Sequence, residues 1–264
     1  MIRLENLAVT FAKGTSLEKR ALDGIDFAVE DGEFVSLIGS NGAGKSTLLS
    51  AIAGDVAPIS GQIFIDNKDV TRQSIAQRSA QVARVFQNPL AGSCGQLTIE
   101  ENLALALARG RFRGFGNALT SARRTIFAER LAALGLGLER RMQDRMALLS
   151  GGQRQALALV MATLAKSSVL LLDEHTAALD PGMAEFVVDL TSRTVSEHQM
   201  TTLMVTHSMR QALDLGTRTI MLHEGKVVLD VKGDERANLT VDDLVEMFRQ
   251  RRGQKLDDDA LLIG

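Results

Sequence analysis

Short apolar runs separated by Gly, Asp and charged residues open the chain. "RLENLAVTF", "IDFAVEDG" and "EFVSLIG" alternate or run on as apolar stretches, which predicts short strands over residues 1 to about 38. The last run enters a Gly-rich loop, after which "KSTLLSAIAG" sets Leu48, Leu49 and Ile52 at helical spacing and stops at Gly54. That order is strand, loop, helix. "ISGQIFIDNKDV" reads as a hairpin strand pair. From about residue 90 to 165 the pattern changes to Ala, Leu and Arg with helical periodicity and few β-branched residues, a helical insertion with a helical run beginning near Arg154. "VLLLDE" and "TTLMVTH" are continuous apolar runs of the kind expected for strands buried on both faces. "TIMLHEGKVVLD" predicts a closing hairpin with its turn near Glu224 and Gly225. In "LTVDDLVEMFRQRRG", Val241, Leu244, Val245 and Phe248 share a helical face, with Thr240 as N-cap and Asp243 three residues on. No internal repeat or heptad run interrupts this order.

Composition bounds the reading. The chain has 264 residues, 45% of them hydrophobic, enough for one large domain or a domain with a modest subdomain. A formal net charge of -2 gives no global reason to expect nucleic acid or an acidic membrane surface as the main partner. The one cysteine, Cys94, forms no intramolecular disulfide, so a reducing cytoplasm is the expected compartment. The start "MIRLENLAVTF" has an acidic Glu5 and nothing resembling a signal peptide. No apolar run approaches the roughly 18 to 20 residues that cross a bilayer. Work at a membrane would need another chain to supply the span.

The candidate chemistry begins at "GSNGAGKST", where Gly39, Gly44, Lys45 and Ser46 satisfy G-x-x-x-x-G-K-[ST] between a strand and a helix. Backbone N–H groups from Gly39, Ser40, Asn41, Gly42, Ala43, Gly44, Lys45, Ser46 and Thr47 would converge on phosphate oxygens. Lys45 adds positive charge near the β and γ phosphates, and Ser46 offers a hydroxyl to Mg²⁺. "VLLLDE" then delivers Asp173 and Glu174 to the same carboxyl edge of the sheet. Asp173 is placed to hold Mg²⁺ through water and Glu174 to polarise an attacking water. A strand-ending DE pair alone is more often a solvated end or a cap; its pairing with the phosphate loop favours the functional reading. A second phosphate-seeking feature, "LLSGGQRQ", sets Ser150, Gly151, Gly152 and Gln153 ahead of a helix. "SGG" alone would be an ordinary capped helix after a turn, which leaves two phosphate-binding ends in one chain unexplained.

With these residues in order, the sequence resembles the ATP-binding cassette (ABC) transporter ATPases over nearly its whole length. "GSNGAGKST" is similar to their Walker A, "VFQNP" with Gln87 to the Q-loop, and "LSGGQ" to the family-restricted signature motif. "LLLDE" resembles Walker B, "AALD" with Asp180 the D-loop, and "VTH" ends in His207 where the family has a switch histidine. The resemblance implies an α/β P-loop NTPase fold, a RecA-like mixed sheet core with an N-terminal antiparallel β subdomain and an α-helical subdomain. The expected division is a single ABC ATPase domain over 1–240, with its helical subdomain at about 90–165, and a C-terminal helix and tail over 241–264.

What the resemblance implies for function is a head-to-tail dimer with a second copy, in which each ATP lies between one subunit's Walker A and the other's signature. Glu174 would be the base, His207 would contact the γ-phosphate, and Gln87 would sense Mg²⁺ and the transport partner. The family commonly stacks adenine on an aromatic residue after the first strand; with no Tyr or Trp in the chain, Phe11 is the candidate. Two departures stand out: His175 replaces the usual Pro, which would set a pH-sensitive neighbour beside the base unless the change is neutral, and Ala156 and Met161 replace two common arginines. Arginines 109, 111, 113, 123, 124 and 130 form a charge run in the insertion, a solvated face that in this family looks toward the membrane partner. With little aromatic interleaving beyond Phe112 and Phe115, a nucleic-acid partner is not expected.

The expected protein is therefore the ATPase subunit of a bacterial importer of a small solute, weakly resembling cassettes of amino-acid-type systems through "DEHTAALDP" and the tail "DDDALLIG". Its expected partners are an integral membrane permease and an extracytoplasmic solute-binding protein, and its expected place the cytoplasmic face of the cell membrane. Soluble cassette ATPases that act on ribosomes or DNA, and exporter ATPases, are the alternatives; the absence of a fused second cassette or a long coiled coil weighs against the soluble ones.

Overall fold

A computed structural model describes residues 1–111 and 116–252. Phe112, Arg113, Phe115 and the tail "DDDALLIG" lie outside the described residues.

The chain opens with two long strands, β1 (Ile2–Phe11) and β2 (Lys19–Val29), then β3 (Phe34–Gly39) and the helix α1 (Lys45–Ala53). The hairpin β4 (Ser60–Ile65) and β5 (Lys68–Asp69) turns through Asp66 and Asn67, both at positive φ. These four strands other than β3 make an antiparallel sheet in the order β2-β1-β4-β5. A short α2 (Ile75–Arg78) leads to β6 (Val82–Val85). The insertion carries α3 (Ile99–Leu107), α4 (Ser121–Ala132) and α5 (Gly151–Leu164). After it come β7 (Val169–Asp173), α6 (Pro181–His198), β8 (Thr201–Val205) and α7 (Met209–Leu215). The hairpin β9 (Arg218–His223) and β10 (Lys226–Lys232), the short α8 (Gly233–Ala237) and α9 (Val241–Arg252) complete the described chain.

The second sheet runs β10-β9-β3-β8-β7-β6. Its strands β9, β3, β8, β7 and β6 pair in parallel and only β10 is antiparallel. Every residue of β3, β7 and β8 is buried, as expected for strands covered on both faces. One core joins the antiparallel sheet to α1 and the inner face of the parallel sheet, through Leu7, Ile25, Leu48, Ile52 and Leu171. A separate core, with Leu103, Phe127, Leu131 and Leu157, holds the helical insertion together. The closing turn falls at Glu224 and Gly225, both at positive φ, the backbone that a two-residue hairpin needs. In α9, Leu244 and Phe248 are fully buried, and Thr240 and Asp243 exchange hydrogen bonds as a capping box.

Three sequence expectations shift. The helix after "LLSGGQ" starts at Gly151, not near Arg154, because the Ser150 hydroxyl caps it by accepting from the Gln153 amide. Residues 90–98 of the insertion are turns rather than helix, and the first helix waits for the Thr98 and Glu101 capping box. The arginine run is not one solvated face. Arg109 donates to Ala162 O, Ala165 O and Ser167 Oγ at the end of α5, and Arg124 pairs with the buried Glu100 at 2.8 Å. That pairing holds the Glu100 carboxyl below its ordinary pKa and raises that of Arg124.

Candidate functional site

The phosphate loop leaves β3 at Gly39 and enters α1 through Gly44 at φ 104°. A Cβ at Gly44 would lie 2.5 Å from Ala21 O, so glycine is what lets the loop lie directly on β2. Lys45 is buried, with Nζ donating to Gly39 O at 2.7 Å and Ser40 O at 3.0 Å. The ammonium is thus folded over its own loop. A cavity of about 210 Å³ opens above it, lined by Phe11, Lys19, Ala21, the loop from Asn41 to Thr47, and Glu174. Phe11 is 42% exposed and forms an apolar wall at the cavity rim rather than core.

Glu174 reaches this cavity from the end of β7, and His207 stands against it from the end of the neighbouring β8. Parallel pairing sets Asp173 opposite Val205 at the carboxyl ends of β7 and β8, so Glu174 and His207 emerge side by side. Glu174 takes a left-handed φ of 46°, costly for a non-glycine residue, and its amide donates to Val205 O at 3.0 Å. His207 Nε2 lies 2.6 Å from Glu174 Oε1. Ser46 Oγ stands 3.4 Å from Asp173 Oδ1, which brings two hard oxygens together at the loop. Among the described residues no group of three or more His, Cys, Asp or Glu side chains could hold a metal. The pair Ser46 and Asp173 therefore fits Mg²⁺, which binds through one or two protein oxygens completed by phosphate and water, better than a cation needing an all-protein cage.

His175 does not behave as a pH-sensitive neighbour of the base near neutrality. It is 3% exposed, and burial pushes its pKa down to about 4. Its Nε2 lies 3.0 Å from Thr191 Oγ1, whose hydroxyl donates to Val187 O at 2.7 Å. With that hydroxyl proton spent, the imidazole is the donor, in the Nε2–H tautomer. The side chain ties the segment after Glu174 to the middle of α6.

Several predicted residues lie away from the cavity. Gln87 is exposed in the bend after β6, and Ser150, Gly151, Gly152 and Gln153 form the first turn of α5. Asp180 caps α6 by accepting from the Met183 amide at 3.1 Å. A Cβ on Gly152 would fall 2.0 Å from Met183 Cγ, so the glycine lets the start of α5 and the start of α6 touch. None of these lines the phosphate cavity of the same chain.

Two side chains at the site were not anticipated. Arg84 on β6 donates to Asp173 Oδ2 at 2.7 Å, to Asp55 Oδ2 at 2.6 Å and to Ser50 Oγ at 3.2 Å, and stacks over Phe86 at 4.6 Å. It holds the second oxygen of Asp173, leaving the first toward Ser46. Strand β6 has only four residues and a polar centre, too short a pattern to single out Arg84. Lys19 lines the cavity from β2; nothing in "KRALDG" shows this, because only the strand pairing, with its register shift at Ala21, sets which side meets the loop.

A larger cavity, about 680 Å³, is a groove elsewhere, between the bend after β6 and the helical insertion, with Phe86, Pro89, Leu105 and Met161 among its lining.

The family described as "ABC transporter" matches residues 22–177, more than half of the chain. The chain is 44% identical over 248 residues to the "Tyrosine transport ATP-binding protein" of Clostridioides difficile, covering 94% of this chain and 98% of that protein. It is 37% identical over 205 residues to the "Thiamine import ATP-binding protein" of Yersinia pseudotuberculosis, covering 78% and 82%. Among solved structures, the dimeric post-hydrolysis state of an ATP-binding cassette bound to ADP and Pi superposes with a TM-score of 0.77. That match has 31% identity and covers 88% of this chain and 98% of that one.

Proposed function

Because this chain belongs to the ABC transporter family as an ATP-binding, ATP-hydrolysing transport subunit, we propose that it drives uptake of an amino acid or a related small solute through a separate permease. The observation that carries the mechanism is the cradle from Asn41 to Thr47 facing the paired Glu174 and His207, with the capped turn Ser150–Gln153 outside that cavity. A phosphate-seeking helix end outside its own chain's cavity supports its serving a partner's site.

In this reading the loop N–H groups and Lys45 hold the β and γ phosphates, with Lys45 moving from its own carbonyls to the ligand. Phe11 stacks on adenine and supplies dispersion without a hydroxyl. Glu174 accepts a proton from a water that attacks the γ-phosphorus, the bond to the β–γ bridging oxygen breaks, and ADP and phosphate are the products. His207 first orients Glu174 through the 2.6 Å contact and then turns to the γ-phosphate. Ser46 and Asp173 would hold Mg²⁺, with Gln87 as a further candidate ligand. When bound, Mg²⁺ neutralises charge on the β and γ oxygens. Ser150, Gly151, Gly152, Gln153 and Asp180 complete the partner's site across a head-to-tail dimer.

The permease would seat in the apolar groove beside Phe86 and Pro89, next to Gln87, so that closure at the nucleotide is felt at the membrane partner. Among the described residues no helix is long and apolar enough to cross a membrane. The uptake reading rests on the relatives named for tyrosine transport and thiamine import, and an extracytoplasmic solute-binding protein is the expected third partner.

Vesicles containing the subunit and the permease encoded beside it, with ATP enclosed, test the proposal. Accumulation of a labelled amino acid that stops in Lys45→Ala is expected. ATP-driven efflux of the same compound, or ATP turnover insensitive to Lys45→Ala, would contradict it.

A further inference from the structure

We infer that Lys19 is a second phosphate-binding cation of the nucleotide site, closing over the phosphate loop from the side opposite Lys45. The inference rests on the reading of the cavity as the ATP site. Lys19 begins β2 and lies directly opposite Phe11 in the β1–β2 register, so the two side chains share one face of the sheet. Ala21, at the register shift two residues on, also lines the cavity, while Arg20, opposite Thr10 on the other face, is paired with Asp23 at 2.6 Å. The Lys19 ammonium lies 3.9 Å from where a Cβ on Gly42 would stand, over the crest of the phosphate loop. Among the described residues it has no hydrogen bond or ion pair. An aromatic ring and a free cation therefore sit side by side at the cavity rim. A base stacked on Phe11 carries its polyphosphate toward Gly42, within reach of the lysine.

The competing account is that β2 is an edge strand of its sheet, where an exposed lysine guards against edge-to-edge pairing. It explains the charge but not why the side chain faces the cavity with Ala21. The two accounts differ in what the lysine does to nucleotide affinity.

Isothermal titration of ATP and ADP into the full chain, without Mg²⁺ and at several salt concentrations, separates them. Lys19→Ala is expected to weaken both nucleotides about tenfold, the loss expected for a hydrogen bond to a charged group. It should also flatten the dependence of log Kd on log salt. Lys19→Arg should stay within about twofold of the unsubstituted chain on the same reasoning. Phe11→Leu should weaken binding without changing the salt slope. A Lys19→Ala chain with unchanged affinity and salt slope, beside a Lys45→Ala chain that has lost binding, overturns the role of Lys19 alone. If the unsubstituted chain binds no ATP, or Lys45→Ala loses none, the assignment of the cavity itself falls and the inference with it.

Discussion

On the proposed reading single residues set the chemistry, and Glu174, the candidate base, holds a strained backbone. Its left-handed φ of 46° turns the carboxylate from the end of β7 toward His207 and the cavity. Glu174→Gln keeps the shape and hydrogen bonding but removes the base. Hydrolysis, followed by phosphate release, should fall by about 10² to 10⁴ while ATP affinity is retained. His175, beside it, leaves a mark on stability rather than on rate. Its pKa falls from 6.5 to about 4 on folding, so its neutral, buried form favours the folded state fully above pH 6.5. That contribution is lost as pH drops toward 4, by roughly 2 kcal/mol at pH 5. Urea unfolding at pH 7.5 and 5 should show this loss in the unsubstituted chain and a smaller one in His175→Gln. Equal losses would refute the assignment. Glu174, Asp173 and His207 were legible because each ends an apolar run. His175 was visible only as a departure, since burial against Thr191 depends on where α6 lies.

At the scale of elements, the recurring device is an arginine turned onto the carboxyl end of a helix. Arg78, fully buried, donates to Ala51 O and Ile52 O at the end of α1 and to Val70 O and Thr71 O. Arg109 does the same for α5, and Arg236 for α7 through Ala212 O and Leu213 O. Cations there satisfy orphan carbonyls and oppose the negative end of the helix dipole. Burial lowers the pKa of all three without discharging them. Arg109→Ala should cost roughly 1–3 kcal/mol, read as a lower urea midpoint with nucleotide affinity unchanged. An unaltered midpoint would return Arg109 to the solvated charge run that sequence spacing suggests. That misreading has a physical cause: arginine spacing gives charge, while the carbonyls it meets, at residues 162 and 165, are over fifty positions away. The early strands, α1 and the closing hairpin were legible because their own periodicity and turn residues define them, although β1 and β2 run longer than the short strands expected. Strand β6, with four residues, was not.

On the proposed reading, the whole molecule is organised around a site that one copy leaves incomplete. Its phosphate loop and Glu174 line one cavity, with His207 beside Glu174, yet the first turn of α5 and the Asp180 cap of α6 stand together outside it, in contact through Gly152 and Met183. Both candidate phosphate-binding helix ends were legible in the sequence order, but not that they lie apart in space. The matching dimeric cassette bound to ADP and Pi agrees with a site completed by a second copy. The most direct test is light scattering of Glu174→Gln with and without ATP, beside the double variant Glu174→Gln/Ser150→Arg. The account predicts a monomer that becomes a dimer on adding ATP, and a double variant that binds ATP but stays monomeric. A Glu174→Gln chain that remains monomeric with ATP bound, or a double variant that dimerises as well, would contradict it.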